Sequence, residues 1–254
     1  MISQKNECKH VNDMVYTKTY YLYVHSTHVH WTVVQIFLKK EIRTLGITFL
    51  LGFGFIVHQN RGGADMNARE YLEILHVAER LKDTPRHCTT TKRRTESVAE
   101  HSWRISLMAF LLKHEFEDID INKVVDMCLI HDLGECFTGD IPTFIKTDSD
   151  REVEDSLLNR WVKSLPEELS GEIANLYKEM DAQETKEAKL YKSLDKLEAL
   201  IQHNESPIDT WSENEYELNK TYAFDTVSFS EWLTDLRKAI LEDTLEKIEK
   251  EGHK

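Results

Sequence analysis

Four ionisable side chains follow a mostly apolar stretch in the middle of the chain. Residues 124–130 lead directly into His131 and Asp132, Glu135 comes three residues later, and Asp140 lies just beyond. On a continuous helix, Glu135 is i+4 from His131 and i+3 from Asp132, so the three would share one side. Buried carboxylates without partners are costly. The pattern therefore indicates either a polar cluster that stabilises the fold or a reaction centre in which a divalent cation holds His131 and Asp132.

Two further ionisable residues interrupt apolar patterns elsewhere. His101 lies one helical turn before the apolar stripe of residues 105–112, and Asp195 lies beside the leucine-rich stripe of residues 190–201. A single histidine in such a place is more often a hydrogen-bonded core residue than a ligand. Asp195 alone would be read as a surface residue of a charged helix. Together with His131, both become candidate metal ligands.

The elements that must position these residues are helices. Ser97 and Glu100 form a capping-box pattern that predicts the start of one helix. A second helix is predicted from about Ile121 to Cys136, where Gly139 and the turn residues after it end the pattern. A third covers residues 184–203. Glycine and proline are scarce, at 9 and 4 residues, so the sequence predicts an all-α fold.

The order of these residues resembles a known family signature. His101, then His131-Asp132, then Asp195 is similar to the H…HD…D signature of the HD-domain metal-dependent phosphohydrolases. The stretches TESVAEHS and TGDIPT and the H-D-x-x-E spacing resemble, more narrowly, the bacterial 5′-deoxynucleotidases and their eukaryotic relatives. The HD dipeptide alone is weak evidence, but the full set in order is specific. The resemblance covers residues 68–220.

This resemblance implies an HD-domain helical bundle with a metal site between its core helices. In the family the signature residues bind one divalent ion, which here would be held by His101, His131, Asp132 and Asp195. Two imidazoles and two carboxylates leave coordination positions open, which favours Mn, Co, Fe or Mg over a closed structural zinc site. Since no histidine lies between Asp132 and Asp195, we predict that this site is mononuclear.

Two acidic residues match positions with catalytic roles in the family. The resemblance makes Glu135 the residue that orients or deprotonates the attacking water, or protonates the leaving oxygen. Asp140, in the TGD turn, matches a second acid that positions water or substrate. The alternatives are that Glu135 is a solvated residue near a helix end, and that Asp140 serves only the turn after Gly139.

A basic segment could receive an anionic substrate in this acidic protein. Residues 80–94 contain six lysine or arginine side chains, and the family resemblance assigns substrate contacts to Arg86 and Arg94. His87 is added to this predicted substrate-binding set, although the bacterial deoxynucleotidase has tryptophan after its arginine. That tryptophan favours 2′-deoxyribose, so the change leaves the sugar preference open. The other basic residues of the segment could equally form a solvated loop.

The activity implied is metal-dependent removal of phosphate from nucleoside 5′-monophosphates, with the 2′-deoxy forms included. One alternative is hydrolysis of another nucleotide or small phosphate ester, including alarmone-type diphosphates. Another is a non-catalytic module that binds a nucleotide or metal, against which the retained Glu135 argues. An HD-type oxygenase would need a di-iron site with extra histidines, which the sequence between Asp132 and Asp195 lacks.

Composition sets limits on partners. The net charge of -13 argues against a nucleic-acid or membrane partner and favours a small-molecule nucleotide bound at a local basic patch. The four cysteines have no C-x-x-C spacing, which is typical of reduced thiols in a cytoplasmic protein. An amphipathic helix over residues 230–248 could pack on the core or against a second copy in a homodimer.

Residues 1–65 differ from the rest of the chain. They carry seven basic and four acidic side chains, a net charge of +3, which leaves -16 for residues 66–254. Their apolar run, Thr44 to Val57, is shorter than the roughly 20 residues of a membrane span. Helical periodicity begins at Met66. We expect residues 1–65 to be a poorly structured extension or an upstream stretch ahead of a start at Met66, and residues 66–254 to form the HD domain.

Overall fold

The computed structural model describes residues 3–4, 20–21, 66–142 and 145–252. The chain divides into two units, Met1–Gly62 and Gly63–Lys254. In the first unit, the short strands β1 (Ser3–Gln4) and β2 (Tyr20–Tyr21) pair in antiparallel fashion. The expectations for the rest of residues 1–65, including the apolar run before Met66, lie outside the described residues.

The second unit is helical, which confirms the all-α prediction. Its helices are α1 (Ala68–Ala78), α2 (Val98–Leu111), α3 (Ile121–Ile130), α4 (Glu135–Thr138), α5 (Asp148–Val162), α6 (Glu167–Ala182), α7 (Lys186–Glu205), α8 (Glu215–Thr221), α9 (Phe224–Val227) and α10 (Glu231–Glu251). Short 3-10 helices occupy Glu79–Lys82 and Ile208–Thr210. Within the described residues, no helix is both long and apolar enough to span a membrane.

The core lies where α2, α3 and α7 pack together. The stripes predicted on these three helices contribute fully buried side chains to this core, among them Ile105, Ala109, Val124, Met127, Cys128, Leu190, Leu194 and Leu197. The predicted capping box at the start of α2 is present: the Ser97 hydroxyl accepts the Glu100 N–H, and the Glu100 carboxylate accepts the Ser97 N–H. Helix α10 adds the buried side chains of Leu233 and Ile240 to this core. The homodimer stays a prediction.

The helix predicted from Ile121 to Cys136 is interrupted, so its predicted end is wrong. Helix α3 ends at Ile130, and the next residues turn through i→i+3 hydrogen bonds, including one of 3.0 Å from the Glu135 N–H to the Asp132 carbonyl. Two carbonyls near the end of α3 accept hydrogen bonds from side chains, one nearby in sequence and one distant. The Cys128 carbonyl accepts from the His131 Nδ1–H, and the Ile130 carbonyl accepts from the Tyr177 hydroxyl. This turn carries His131 and Asp132.

The basic segment of residues 80–94 also contains more structure than a loop. Strand β3 (Pro85–Thr89) pairs with β4 (Thr95–Ser97) in an antiparallel hairpin. Arg93 in the connecting turn has a positive φ of 62°. The hairpin contacts α7 through the Thr89 carbonyl and the Cys88 sulfur, and it leads directly into α2.

Candidate active site

The four predicted metal ligands come together between the core helices. His101 comes from α2, Asp195 from α7, and His131 and Asp132 from the turn after α3. The Nε2 atom of His101 lies 3.2 Å from Asp195 Oδ1 and 4.0 Å from Asp132 Oδ2. The Nε2 atom of His131 lies 2.9 Å from Asp132 Oδ2 and 3.9 Å from Asp195 Oδ1. Four donor groups therefore face one small volume.

Both imidazoles are oriented by hydrogen bonds through their other nitrogen. The Nδ1 of His101 is 2.5 Å from a carboxylate oxygen of Glu198, and the Nδ1 of His131 is 2.9 Å from the Cys128 carbonyl. If each Nδ1 carries the proton, each Nε2 has a lone pair directed at the carboxylates. Although His131 Nε2 is close to Asp132, it is buried and forms no hydrogen bond of acceptable geometry within the described residues. Such an unsatisfied nitrogen fits a metal ligand.

The charges around this volume favour a cation. Burial raises the pKa of the Asp132 carboxyl, but the charges of His131 and His101 lower it more, to about 2. Burial likewise raises the pKa of Asp195, and the Lys192 ammonium and His101 hold it well below its usual range. Burial and a nearby arginine lower the pKa of His101, but its hydrogen bonds to Asp195 and Glu198 raise it to about 10. Positive charge is stabilised here, so the donor set fits a divalent ion.

Glu135 and Asp140 lie at the edge of this charged cluster. Glu135 is 7% exposed, and its Oε2 atom has no hydrogen-bond partner within the described residues. Burial and then the charge of Asp132 raise the pKa of the Glu135 carboxyl to about 9. Burial also raises the pKa of Asp140, which the charge of Arg86 partly opposes. Burial of Glu135 does not match a solvated residue near a helix end.

Arg86 lies among carboxylates at the back of the site. Its Nε is 3.4 Å from an oxygen of Glu96, and the side chain is nearly buried. Burial lowers the pKa of the guanidinium. The charges of Glu198, Glu96 and Asp132 outweigh burial, so the pKa of Arg86 is above its ordinary value. Arg86 therefore keeps its positive charge beside the four predicted ligands.

Sequence reasoning missed Glu96 and Glu198. Both are almost completely buried, at 3% and 0% exposure. Glu198 could have been found, because it lies four residues after Leu194 on the inward-facing stripe of α7, where a charge needs a partner. Glu96 lies in β4, and nothing in its local pattern distinguishes it from a surface glutamate.

Two of the three predicted substrate-binding residues face other partners. The Arg94 guanidinium is 59% exposed and binds both carboxylate oxygens of Glu100, at 2.6 and 2.8 Å. The Nε2 of His87 lies 3.5 Å from Glu215 and 3.7 Å from the Cys88 sulfur. Substrate contacts by Arg94 and His87 stay predictions.

Comparisons with known proteins identify the family to which this fold belongs. A family model described as HD domain matches residues 78–236. The 5′-deoxynucleotidase HDDC2 of Homo sapiens is 32% identical over 142 residues, which are 54% of this chain and 69% of that protein. The enzyme of the same name from Danio rerio is 35% identical over 141 residues, 53% of this chain and 68% of that protein.

Solved structures show the same fold. A predicted metal-dependent phosphohydrolase from Magnetospirillum magnetotacticum superposes with a TM-score of 0.61 and 28% identity, covering 71% of this chain and 95% of its own. An HD-domain phosphohydrolase from Listeria innocua has a TM-score of 0.56 and 24% identity, covering 71% and 93%.

Proposed function

Because this chain belongs to the HD-domain family and is a metal-dependent phosphohydrolase, we propose that it releases phosphate from nucleoside 5′-monophosphates. The substrate class is that of the relatives named 5′-deoxynucleotidases. The observation that supports it most is the convergence of two imidazoles and two carboxylates beside a buried glutamate and a buried arginine.

In this proposal His101, His131, Asp132 and Asp195 hold one divalent ion, with Mn, Co, Fe or Mg favoured by the mixed nitrogen and oxygen donors. When bound, such an ion polarises a phosphate oxygen and lowers the pKa of water. The hydrogen bonds from His101 to Glu198 and from His131 to the Cys128 carbonyl keep both Nε2 atoms aimed at the ion.

Glu135 and Asp140 manage protons and water in this proposal. A carboxyl whose pKa is raised to about 9 before metal and substrate bind can carry a proton at neutral pH. The protonated Glu135 carboxyl can give its proton to the leaving 5′ oxygen. Alternatively, once a nearby positive charge lowers the pKa of Glu135, its carboxylate can take a proton from water. Asp140 is a second, partly buried carboxyl whose pKa the Asp132 charge also raises, and it positions water or substrate.

Arg86 supplies fixed positive charge for the phosphate. Phosphoryl transfer depends mainly on positioning and on electrostatic stabilisation of the transferring group. The Arg86 Nε is buried and has no well-formed hydrogen bond within the described residues, so the guanidinium has donor capacity left for an anion. We assign Arg94 and His87 to the substrate side of the site as the weaker part of this proposal.

A substrate panel tests the proposal. Phosphate release is measured on deoxy- and ribonucleoside 5′-monophosphates, 3′-monophosphates and nucleotide diphosphates, each with added Mn²⁺ or Co²⁺. The expected result is release from 5′-monophosphates in preference to the other esters, and its loss in Glu135→Gln. Release only from diphosphates, or from no phosphate ester while nucleotide still binds, would contradict the assignment.

A further inference from the structure

A second cluster of potential metal ligands includes two residues of strand β3. It consists of His87 and Cys88 from β3, His203 from α7 and Glu215 from α8. The Cys88 sulfur is 3.7 Å from His87 Nε2 and 3.4 Å from His203 Nε2. An oxygen of Glu215 lies 3.5 Å from His87 Nε2 and 3.4 Å from His203 Nε2. Cys88, His203 and Glu215 lie outside the site described above, whereas His87 is also the residue assigned to its substrate side.

The donor atoms of this cluster are held in place by neighbours. His203 Nδ1 is 2.9 Å from the Asn219 amide oxygen, which leaves its Nε2 facing Cys88 and Glu215. The second oxygen of Glu215 accepts the Ser212 backbone N–H at 2.5 Å. Cys88 is 1% exposed, so its thiol is a poor target for reagents and substrates, whereas His87 opens the cluster to solvent.

We propose that His87, Cys88, His203 and Glu215 form a second divalent-metal site that takes a zinc-class ion. Donors around a tetrahedral zinc ion, with bonds of about 2.0–2.3 Å, lie roughly 3.3–3.6 Å apart. The four neighbour distances in the structure, 3.4–3.7 Å, are within about 0.1 Å of that range. A thiolate with two imidazoles and one carboxylate suits Zn²⁺ and its cobalt substitute better than Mg²⁺ or Mn²⁺.

The charge balance of the cluster is consistent with an ion. Burial raises the pKa of the Cys88 thiol, but its contacts with His203 and His87 lower it to about 6. Burial lowers the pKa of His203, but its hydrogen bonds to Cys88 and Glu215 raise it to about 10, so at neutral pH the proton lies on His203 beside a Cys88 thiolate. When the ion binds, that proton leaves to solvent, and the sulfur and the His203 Nε2 each bond to the metal. In the alternative arrangement no metal binds, and a proton on His203 balances the negative charges of Cys88 and Glu215. The cobalt titration below distinguishes the metal-bound cluster from this proton-held cluster.

The two sites are separate, and the new one has a positioning role. Asp195 and His203 are eight residues apart on α7, which corresponds to about 12 Å along the helix axis. An ion bound by His87 and Cys88 would fix β3 to α7 and α8, and therefore fix Arg86, which precedes His87. The inference rests on its own donor geometry. If His87 binds the ion, its Nε2 atom does not contact the substrate, and Arg86 and Arg94 remain on the substrate side.

Cobalt provides the test, because only the second site contains a thiolate. The full chain is stripped of metal and titrated with Co²⁺, and thiolate-to-cobalt charge-transfer absorption is recorded with the bound metal per chain. We expect two ions per chain, one at each site, and the charge-transfer band. Cys88→Ser should lose the band and one ion, whereas Cys136→Ser and Cys8→Ser should keep both. Asp195→Ala should keep the band while it loses the other ion.

Several outcomes would overturn the inference. Wild-type protein saturated with Co²⁺ that shows no thiolate band would favour the proton-held cluster, and this result needs no variant. Persistence of the band in Cys88→Ser would place the thiolate elsewhere. If Cys88→Ser fails to fold by circular dichroism, Asn219→Ala provides a milder change. This change removes the acceptor that orients His203. It should raise the Co²⁺ dissociation constant of the Cys88 site about 10–100-fold, as followed by the thiolate band.

Discussion

Replacement of Glu198 by glutamine should weaken metal binding at the His101 site without removing a metal ligand. Glu198 is fully buried and accepts a 2.5 Å hydrogen bond from His101 Nδ1. The Glu198→Gln side chain has nearly the same shape and can still accept that hydrogen bond, but it loses the charge. The change therefore isolates the electrostatic support that the carboxylate gives to the imidazole.

The size of the effect follows from this geometry. A hydrogen bond to a charged group contributes about 1.5–3 kcal/mol, and a neutral one contributes about 0.5–1.5 kcal/mol. The difference of about 1.5 kcal/mol corresponds to roughly a tenfold rise in the metal Kd. Turnover at saturating metal should change much less, because Glu135 and the four ligands are intact.

Calorimetric titration of metal-stripped protein with Mn²⁺ measures this Kd. The matched control is Glu205→Gln, on the same helix, which removes an exposed carboxylate that binds Arg104 through two hydrogen bonds of 2.7 Å. Glu205→Gln should leave the Mn²⁺ affinity unchanged. The reasoning is refuted if Glu198→Gln binds Mn²⁺ as tightly as wild type, or if both variants weaken binding equally.

Three further predictions concern chemistry and stability. Glu135→Gln should reduce kcat about 10²–10⁴-fold while Mn²⁺ still binds, as read by phosphate release and metal analysis; unchanged kcat would exclude a proton-transfer role. Asp195→Ala should lose both the ion and activity yet keep its helical circular dichroism, and activity with full metal content would remove Asp195 from the ligand set. Partial burial of Glu179 raises its pKa, but its partners Thr185 and Lys123 lower the pKa below its ordinary value of 4.5. Because the folded-state pKa is depressed, this stabilisation is present above pH 4.5 and is lost as the pH falls through the folded pKa. Urea unfolding of Glu179→Gln should therefore show a free energy of unfolding at most ~1 kcal/mol below that of wild type at neutral pH, and this difference should disappear in acid. An equal difference at both pH values would contradict the prediction. The exposed Glu172→Gln serves as the control.

The sequence predicted the parts of the site that depend on local pattern. His101, His131 and Asp195 became candidate ligands because each interrupts or borders an apolar helical stripe, and the family resemblance then assigned them to one metal site, which stays a prediction. The capping box at Ser97 and the fully buried leucines of α7 follow from the same periodicity. Local spacing also placed Glu135 close to Asp132, although the connecting backbone is a turn.

Features that depend on contacts between distant segments were not predictable. Helix α3 ends at Ile130 partly because the Tyr177 hydroxyl, 47 residues later, binds the Ile130 carbonyl. The cluster of Cys88 and His203 joins residues 115 positions apart, and no motif spacing announces it. The exposed ion pair of Arg94 with Glu100 shows that a basic residue close to a site in sequence can have its side chain engaged at the surface.

Restoration of phosphate release by metal tests the central claim most directly. Metal-stripped protein is assayed on a 2′-deoxynucleoside 5′-monophosphate before and after addition of Mn²⁺, beside His131→Ala treated identically. The account predicts no release from the stripped protein, recovery on addition of Mn²⁺, and no recovery in the variant. Release that is undiminished by stripping, or full recovery in His131→Ala, would contradict it.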